Sequence, residues 1–513
     1  MRRIAIAALA AVFAIPVAAD DTVVLRGPEG LEVTGALLDH DGRFYRIGAS
    51  EGVLTLDGAA FECEGAACPD APNRLQEVVI LADPVASDVL LPALIEAHAA
   101  RTGREVERFP EAAGAVWVLG GADEAEVLIH VRPVPAAEAL AALAAEAADI
   151  AVTTRPATPR ERRSAEAAGA GDPDAAGRGR VLALMGLVPV AAPGTDLEAP
   201  TLPQLAALFA GGGGGRSGPG DAAVPVRPHL PLPDTGVDPA FRERAMAAAG
   251  REVAADVARH ADEAALLGAV AATPGGIGVA VADGDVGPAR ALALRPACGP
   301  PVRPSAAAVR SGDWPLVAPV MVYLPPRPAP PEARALLRFI LSIEAQLVIR
   351  RAGFVDQAAA GVPIAQQGER FASAILAARD AEDLAELRRM TRRLRPLARQ
   401  GETFRFEAEG AGLDATSREA ISRLAEALAT GRRQGPVLLA GFWSGEASAV
   451  SNRRLALHQA RRVAAALRAA LPEGTEVEIE VDGFEEVPPP GCDDGPWGRQ
   501  AGRRVEIWLP RNP

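Results

Sequence analysis

The spacing of apolar residues along the chain changes several times, and each change predicts a different kind of element. Between residues 21 and about 70, apolar and polar positions alternate between glycine-containing turns, which predicts three or four short β-strands. From about 74 to 357, apolar runs such as Val78–Leu81 and Ile150–Thr153 alternate with stretches of helical spacing such as Ala333–Arg351. Strands and helices in alternation are typical of an α/β domain with a mainly parallel sheet. The region is long enough to form two lobes with a cleft between them.

The rest of the chain predicts a connecting helix and a second α/β domain. Residues 366 to 400 are dense in arginine, glutamate, leucine and alanine and predict a charged helix. After them, apolar runs and the amphipathic stretches Thr416–Leu428 and Asn452–Leu471 predict the element order βαβαββ. These changes of pattern predict a small β-rich element at 20–72, an α/β region at 73–357, a helical linker at 358–400 and a last domain at 401–513.

Residues 1–19 have the pattern of a secretory signal peptide. Two arginines precede the apolar run Ile4–Val17, and small residues lead to a cleavage site before Asp20. The run is too short to cross the ~30 Å hydrocarbon layer, so the alternative to a cleaved signal is a retained interfacial helix. We therefore expect a periplasmic protein that is not integral to the membrane.

Charge and cysteine content narrow the classes of partner. The formal net charge of −13 opposes binding to nucleic acid or to an anionic membrane surface. Among the four cysteines, Cys63 and Cys68 enclose a loop short enough to close as a disulfide, whereas a metal site would need two further ligands nearby. Cys298 and Cys492 fall in different predicted domains, so pairing with each other and remaining free are both left open.

Six segments in the α/β region occur in an order that resembles the type II periplasmic binding proteins, and within them the phosphate-binding subfamily. The segments are Ala148–Pro156, Thr201–Gly211, Asp234–Phe241, Pro274–Gly278, Asp313–Leu316 and Gln346–Phe354. The resemblance implies a two-lobed α/β fold, a small oxyanion such as phosphate as ligand, and an ABC-transporter permease as partner. A tetrahedral oxyanion needs converging hydroxyl and backbone N–H donors and one arginine. The residues that the resemblance places at this site are Thr153, Thr154, Arg155, Thr235 and Gly236.

The first loop of this expected site departs from the family's pattern. Where the family has glycine followed by serine, the chain has Asp83 and Pro84, and an ionised Asp83 would repel an anion. His229 and Asp234 also replace the expected residues around the third loop. The alternative interpretation is structural: the two threonines end a strand, Asp83 caps a helix, and Arg155 pairs with a nearby glutamate, Glu161.

The last domain resembles the OmpA-like peptidoglycan-binding domain. The resemblance rests on Gly441 and Phe442 at a strand end, Asn452 and Leu455 at a helix start, and Arg503–Ile507 near the end of the chain. The family grips diaminopimelate with an aspartate and an arginine, and alignment places Ser444 and Gln459 at those two positions. Without the two charges, peptidoglycan binding would have to use other residues such as Arg504. Asn452 is expected to hold the loop through its side chain.

Enzyme chemistry has little support in the sequence. Six histidines show neither metal-ligand spacing nor a nucleophile elbow, and Gly275–Gly278 lacks the full dinucleotide fingerprint. No catalytic residue, cofactor or metal site is therefore predicted. The sequence favours a periplasmic solute-binding protein with an envelope-associating OmpA-like domain. The alternative function is an envelope scaffold or interaction protein in which both domains have lost ligand recognition.

Overall fold

The computed structural model describes most of the chain. The described residues are 22–27, 31–40, 44–50, 52–58, 61–65, 67–68, 75–121, 124–175, 177–211, 216–217, 224–233, 237–281, 286–296, 301–358, 361–364, 367–378, 380–407, 412–443, 449–485 and 502–510. They fall into two compact units, one within 1–76 and 120–128, the other comprising 77–119 and 129–513. The predicted signal peptide lies outside the described residues. Within those ranges, no helix has the length and apolar character needed to span a membrane.

The first unit contains an antiparallel sheet of five strands. They are β1 (Thr22–Arg26), β2 (Glu32–His40), β3 (Phe44–Ala49), β4 (Gly52–Asp57) and β5 (Glu62–Glu64), in the order β4-β3-β2-β1-β5. Alternating residues turn inward, and Val23, Leu25 and Ile47 form a small core. Cys63 and Cys68 form the predicted disulfide, with their Cα atoms 5.7 Å apart. The disulfide prediction is confirmed.

The α/β region, most of which belongs to the second unit, is built on a mixed sheet. Its strands are β6 (Leu75–Ala82), β7 (Glu105–Glu111), β8 (Gly114–Gly121), β9 (Glu124–Pro133), β10 (Ile150–Thr153), β11 (Gly179–Ala191), β12 (Arg216–Ser217), β13 (Val224–Pro225), β14 (Arg227–Pro231), β15 (Ala258–His260), β16 (Gly276–Val281), β17 (Arg290–Ala291) and β18 (Val317–Tyr323). The strand order is β15-β14-β16-β11-β18-β10-β6-β9-β8-β7, with β17 beside β11, while β12 and β13 pair separately. The fold is therefore α/β, as predicted.

The helices of this region follow the strands. They are α1 (Leu91–Thr102), α2 (Ala136–Ala144), α3 (Pro159–Ala167), α4 (Leu202–Phe209), α5 (Val237–Phe241), α6 (Glu263–Ala272), α7 (Ala306–Ser311), α8 (Pro331–Ile340) and α9 (Ala345–Arg351). A π-helical turn, Ala86–Leu90, precedes α1, and another, Arg242–Met246, continues α5. The single helix predicted over Ala333–Arg351 is wrong, because the chain turns between α8 and α9, where the Ser342 hydroxyl accepts a hydrogen bond from the Ala345 amide (3.4 Å).

Strand β11 joins two groups of strands. Its first part, Gly179–Gly186, pairs with β18, and its second part, Leu187–Ala191, pairs with β16. Both pairings are antiparallel, so the expectation of a mainly parallel sheet fails at this join, although β6 and β10 are parallel. Every residue from Val181 to Ala191 is buried, as expected for an apolar strand covered on both faces.

The C-terminal part of the second unit forms a separate sheet with helices on both faces. Its elements are β19 (Val362–Pro363), α10 (Gly368–Ala377), α11 (Ala381–Leu394), β20 (Leu397–Phe404), α12 (Ala415–Ala429), β21 (Val437–Trp443), α13 (Ala449–Ala470), β22 (Ile479–Glu485) and β23 (Arg504–Pro510). From β20 onward the order is βαβαββ, as predicted, and the strand order is β19-β20-β23-β21-β22.

Two hydrophobic cores hold this sheet between its helices. On one face, α12 and α13 pack over residues such as Leu439 and Ile507. On the other face, Met390 and Leu394 of α11 pack against Phe442 and Trp508. The helices within the predicted linker segment therefore cover the sheet of the last domain, and the amphipathic pattern of α11 reflects that burial.

Candidate ligand-binding site

Three of the residues predicted to bind an oxyanion, Thr153, Thr154 and Arg155, lie where β10 ends, beside the end of β6. Because these neighbouring strands are parallel, their carboxyl ends meet at one edge of the sheet, and Asp83 and Thr154 lie there side by side. The Thr154 hydroxyl donates a hydrogen bond to Asp83 Oδ2 (2.9 Å). Both side chains are buried, with 2% exposure each. The structure thus joins Thr154 to the residue that departs most from the family's pattern.

Asp83 also caps the helical turn that follows it. Its Oδ1 accepts a hydrogen bond from the Val85 amide (3.2 Å), and its carbonyl accepts from the amides of Ala86 and Ser87 (both 2.9 Å). Pro84 has no amide hydrogen to offer. The N–H groups that a bound anion would use at this turn therefore already have partners within the chain.

Arg155 is held by Glu161 in a bidentate ion pair. Its Nη1 and Nη2 donate to the two carboxylate oxygens at 2.8 and 2.6 Å. Burial opposes ionisation of Glu161, but hydrogen bonds from Arg155 and Thr158 outweigh it and lower the pKa of Glu161 to about 2. The hydrogen bond to Glu161 in turn raises the pKa of Arg155. The Thr153 hydroxyl donates to the carbonyl of Arg155 (2.7 Å).

Several carboxylates lie at or near this edge, and their negative charge is unfavourable for binding an anion. Glu243, on the π-helical turn after α5, adds to the field that stabilises the Arg155 cation. Glu161 and Glu243 thus both act on the Arg155 guanidinium, and Asp83 adds a carboxylate where β6 ends. The remaining predicted ligands, Thr235 and Gly236, lie outside the described residues, as does Asp234. The described part of the site presents hydrogen-bond acceptors more than free donors.

The predicted peptidoglycan-binding residues of the C-terminal domain also have internal partners. Asn452 is 2% exposed and donates from Nδ2 to Glu485 Oε1 (3.4 Å). Gln459 accepts a hydrogen bond from Arg462 (3.3 Å) on the same helix. Arg504 is 1% exposed and lies over the Phe442 ring, 4.6 Å from its centroid. Ser444 lies outside the described residues.

A buried ionic cluster, which sequence reasoning missed, surrounds Glu506. This carboxylate is fully buried and accepts hydrogen bonds from Arg370 (2.7 and 3.2 Å), Arg504 (2.9 Å) and the Trp508 indole (3.2 Å). Burial raises its pKa, but the guanidinium groups of Arg370, Arg399 and Arg504 hold the pKa well below its usual value. Polar residues alternating with apolar ones in the buried strand β23 are the one local signal of this cluster.

The C-terminal domain contacts the α/β region at the first part of β11 and at the loop before β18. Glu419 of α12 accepts hydrogen bonds from Arg180 of β11 (2.6 and 2.9 Å). Arg399 pairs with Asp313 in the loop before β18 (3.1 Å), and Arg405 donates to the carbonyl of Ser311 (2.7 Å). Asp313 is desolvated, yet Arg399 and Arg405 lower its pKa to about 2. These ion pairs make the two parts of the second unit one packed body.

Metal coordination has no visible basis in this part of the molecule. Over the ranges given above, no three or more His, Cys, Asp or Glu side chains gather as metal ligands. His229 and His260 come together, Nδ1 to Nε2 at 2.9 Å, as a hydrogen-bonded pair between β14 and β15.

Comparisons with known proteins found similarity to solved structures. No family model and no curated protein matches the chain. An ABC-type phosphate transport receptor from Vibrio cholerae is 14% identical, with 55% of this chain and 100% of that chain covered and a TM-score of 0.41. A phosphate ABC transporter substrate-binding protein from Clostridium perfringens is 14% identical, covering 55% and 99%, with a TM-score of 0.40. A possible phosphate binding protein from Planctomyces limnophilus is 16% identical, covering 59% and 99%, with a TM-score of 0.38. These values are too low to assign a ligand or a residue's role.

Proposed function

We propose that this chain is a periplasmic solute-binding protein that holds a small, proton-bearing solute at the edge formed by the ends of β6 and β10. The observation that carries the proposal is the buried pair of Asp83 and Thr154 at that edge. Two groups of strands share β11, which is separated from β10 by β18, and this arrangement supports a site closed by movement of one group against the other. The order of the six segments given above supports the same class of protein.

The chemistry of Asp83 restricts the solute. An ionised carboxylate only accepts hydrogen bonds, so a solute beside it must carry a donor. Sulfate at neutral pH has only hydrogen-bond acceptors and would be repelled by Asp83. Hydrogen phosphate has an O–H group that can donate a hydrogen bond to the Asp83 carboxylate. Among oxyanions, the site therefore favours the protonated ones, with phosphate as the first candidate. An ABC permease is the partner expected for such a receptor.

Calorimetry on the mature chain tests this proposal. Phosphate should give a saturable heat, and Thr154→Val should remove the part of it that arises at this edge, because the variant loses the hydroxyl that positions Asp83. Thr102→Val is the matched control, since Thr102 is exposed and donates only to helix carbonyls of α1. Asp83→Asn should weaken the preference for a protonated oxyanion. If phosphate, arsenate and small carboxylates all give no heat at this site, the solute-binding proposal fails.

A second candidate function is an envelope scaffold, and the docking of the C-terminal domain favours it. Glu419 contacts the first part of β11, and Arg399 contacts the loop beside the join, where Trp314 donates to the Leu187 carbonyl; both contacts oppose movement at the join. An OmpA-like domain would attach such a scaffold to peptidoglycan by residues other than Asn452 and Arg504, which have internal partners. Retention of the mature chain on purified sacculi, unaffected by free diaminopimelate and with no solute binding, would support this function over transport.

A further inference from the structure

A small cavity lies where the α/β region meets the C-terminal domain. It has a volume of about 80 Å³, and its lining includes Arg244, Arg310, Arg405, Asp414 and Thr416. A single water needs about 10–15 Å³ by the same kind of measure. The cavity therefore has room for several waters or for one anion with about five heavy atoms. The cavity is separate from Asp83 and Thr154.

Three guanidinium groups reach the cavity from different elements. Arg310, at the end of α7, has a side chain only 10% exposed and donates Nε and Nη2 to Asp356 (2.9 and 3.0 Å). Its Nη1 has no hydrogen-bond partner among the residues that the structure describes. Arg244, on the π-helical turn after α5, has neither an ion pair nor a side-chain hydrogen bond within those same residues. Arg405 brings a third positive charge from the loop after β20, and its Nη1 donates to Ser311.

Opposing charges are fewer at the cavity itself. Among the described residues of the lining, Asp414 is the one carboxylate, and its Oδ1 accepts a hydrogen bond from the Ser417 amide (2.7 Å), where it caps α12. Three arginines against one aspartate leave two positive charges in the lining. Asp356 offsets part of the charge of Arg310, and Asp313, 3.7 Å from Arg405, offsets part of that one. Thr416, in the first turn of α12, adds a hydroxyl and the positive end of a helix dipole.

We propose that this junction binds a small dianionic oxyanion, such as sulfate or hydrogen phosphate. Guanidinium groups match the oxygen spacing of such anions, and three of them from separate directions suit a tetrahedral ligand better than a planar one. The anion would be held by Arg244 and Arg310 of the α/β region and by Arg405 and Thr416 of the C-terminal domain. Its binding therefore strengthens the contact between the two parts of the chain.

Sulfate is the probe that distinguishes this junction from the site at β6 and β10, because Asp83 excludes an anion without a proton. Calorimetry with sulfate on the full mature chain, at ionic strength held constant with chloride, should show one site. Arg244→Ala should weaken it by about 10- to 100-fold, the usual effect of losing one charge-assisted hydrogen bond. Arg251→Ala is the matched control, since Arg251 lies nearby on the chain and is exposed. The control should bind sulfate as the wild type does.

Thr154→Val separates the two proposals. It should leave sulfate binding unchanged if the anion lies at the junction, whatever happens to phosphate binding at the other site. The junction proposal is overturned if wild type binds no sulfate at millimolar concentration, if Arg244→Ala binds it as tightly as wild type, or if Thr154→Val removes it. Thr416→Val provides a second, smaller change at the cavity, should Arg244→Ala lose its fold by circular dichroism, and it is expected to weaken sulfate severalfold.

Discussion

Replacing Glu419 with glutamine should loosen the C-terminal domain from the α/β region. The Glu419 carboxylate is 2% exposed and accepts three hydrogen bonds, two from Arg180 and one from Arg423 at 3.0 Å. Glutamine keeps the shape but removes the charge, and each charge-assisted hydrogen bond exceeds a neutral one by about 1 kcal/mol. Arg180 is 30% exposed, so water recovers part of that loss. The Arg423 bond lies within α12, so the contact loses only the two Arg180 bonds and should weaken by about 1–2 kcal/mol, or roughly 5- to 30-fold in its equilibrium constant.

Hydrogen exchange measured by mass spectrometry reports this loosening directly. Peptides from β11 and from α12 should exchange faster in Glu419→Gln than in wild type, while peptides from the N-terminal sheet keep their rates. Glu426→Gln is the matched control, because Glu426 is 65% exposed and pairs with Arg432 in the turn that follows α12. That exposed pair contributes at most about 1 kcal/mol. Equal exchange in the two variants would refute the idea that the buried pair holds the domain in place.

Three other perturbations give measurable outcomes. Reducing the Cys63–Cys68 disulfide should destabilise the N-terminal sheet by about 2 kcal/mol, because the bond closes a short loop. Reductant should lower the unfolding temperature of the wild type but not that of the variant in which both cysteines are serine. An equal decrease in both proteins would contradict the prediction. Glu161→Gln should make the free energy of unfolding depend less on pH in the acid range. The pKa of Glu161 is about 2 in the native state, below the usual 4.5. The ionised carboxylate therefore contributes its full stabilisation above pH 4.5 and loses it as the pH falls toward 2. Unfolding titrations that are parallel for wild type and variant from pH 5 to about 2 would contradict the assignment. Glu506→Gln should lower the free energy of unfolding by about 3–5 kcal/mol, because three buried guanidinium groups lose their compensating charge. An unchanged midpoint in urea denaturation would contradict this prediction.

Much of the architecture could be predicted because hydrophobic periodicity is a local signal. The βαβαββ order of the last domain follows from runs of period 2 and period 3.6 that any window of the sequence displays. Helix ends also followed local chemistry, as in α12, where Asp414 caps the first turn. The break between α8 and α9 was missed because one amphipathic pattern runs through both helices. The role of α11 was missed because a charged helix and a helix with one buried face share most of their composition.

The candidate site was less predictable because its decisive contacts join residues far apart in sequence. The pairing of Arg155 with Glu161 spans six residues, so it was already available as an alternative interpretation. The hydrogen bond between Asp83 and Thr154 spans 71 residues and depends on which strands become neighbours. The ion pair between Arg180 and Glu419 spans 239 residues and joins two predicted domains, so no local pattern carries it.

If the chain binds a solute as proposed, solute binding and docking of the C-terminal domain are coupled. Any relative movement of the two strand groups shifts one part of β11 against the other, and the C-terminal domain contacts the first part through Arg180 and the loop beside the join through Asp313. A solute that favours one arrangement of the strand groups must therefore favour or oppose the ion pairs at Glu419 and Arg399 as well. Thermodynamic linkage is reciprocal. If the solute changes the equilibrium constant for docking of the C-terminal domain by some factor, docking changes the affinity for the solute by the same factor. An anion bound in the junction cavity would strengthen the same contact between the α/β region and the C-terminal domain. The concentration of such an anion would therefore also influence how readily the strand groups move.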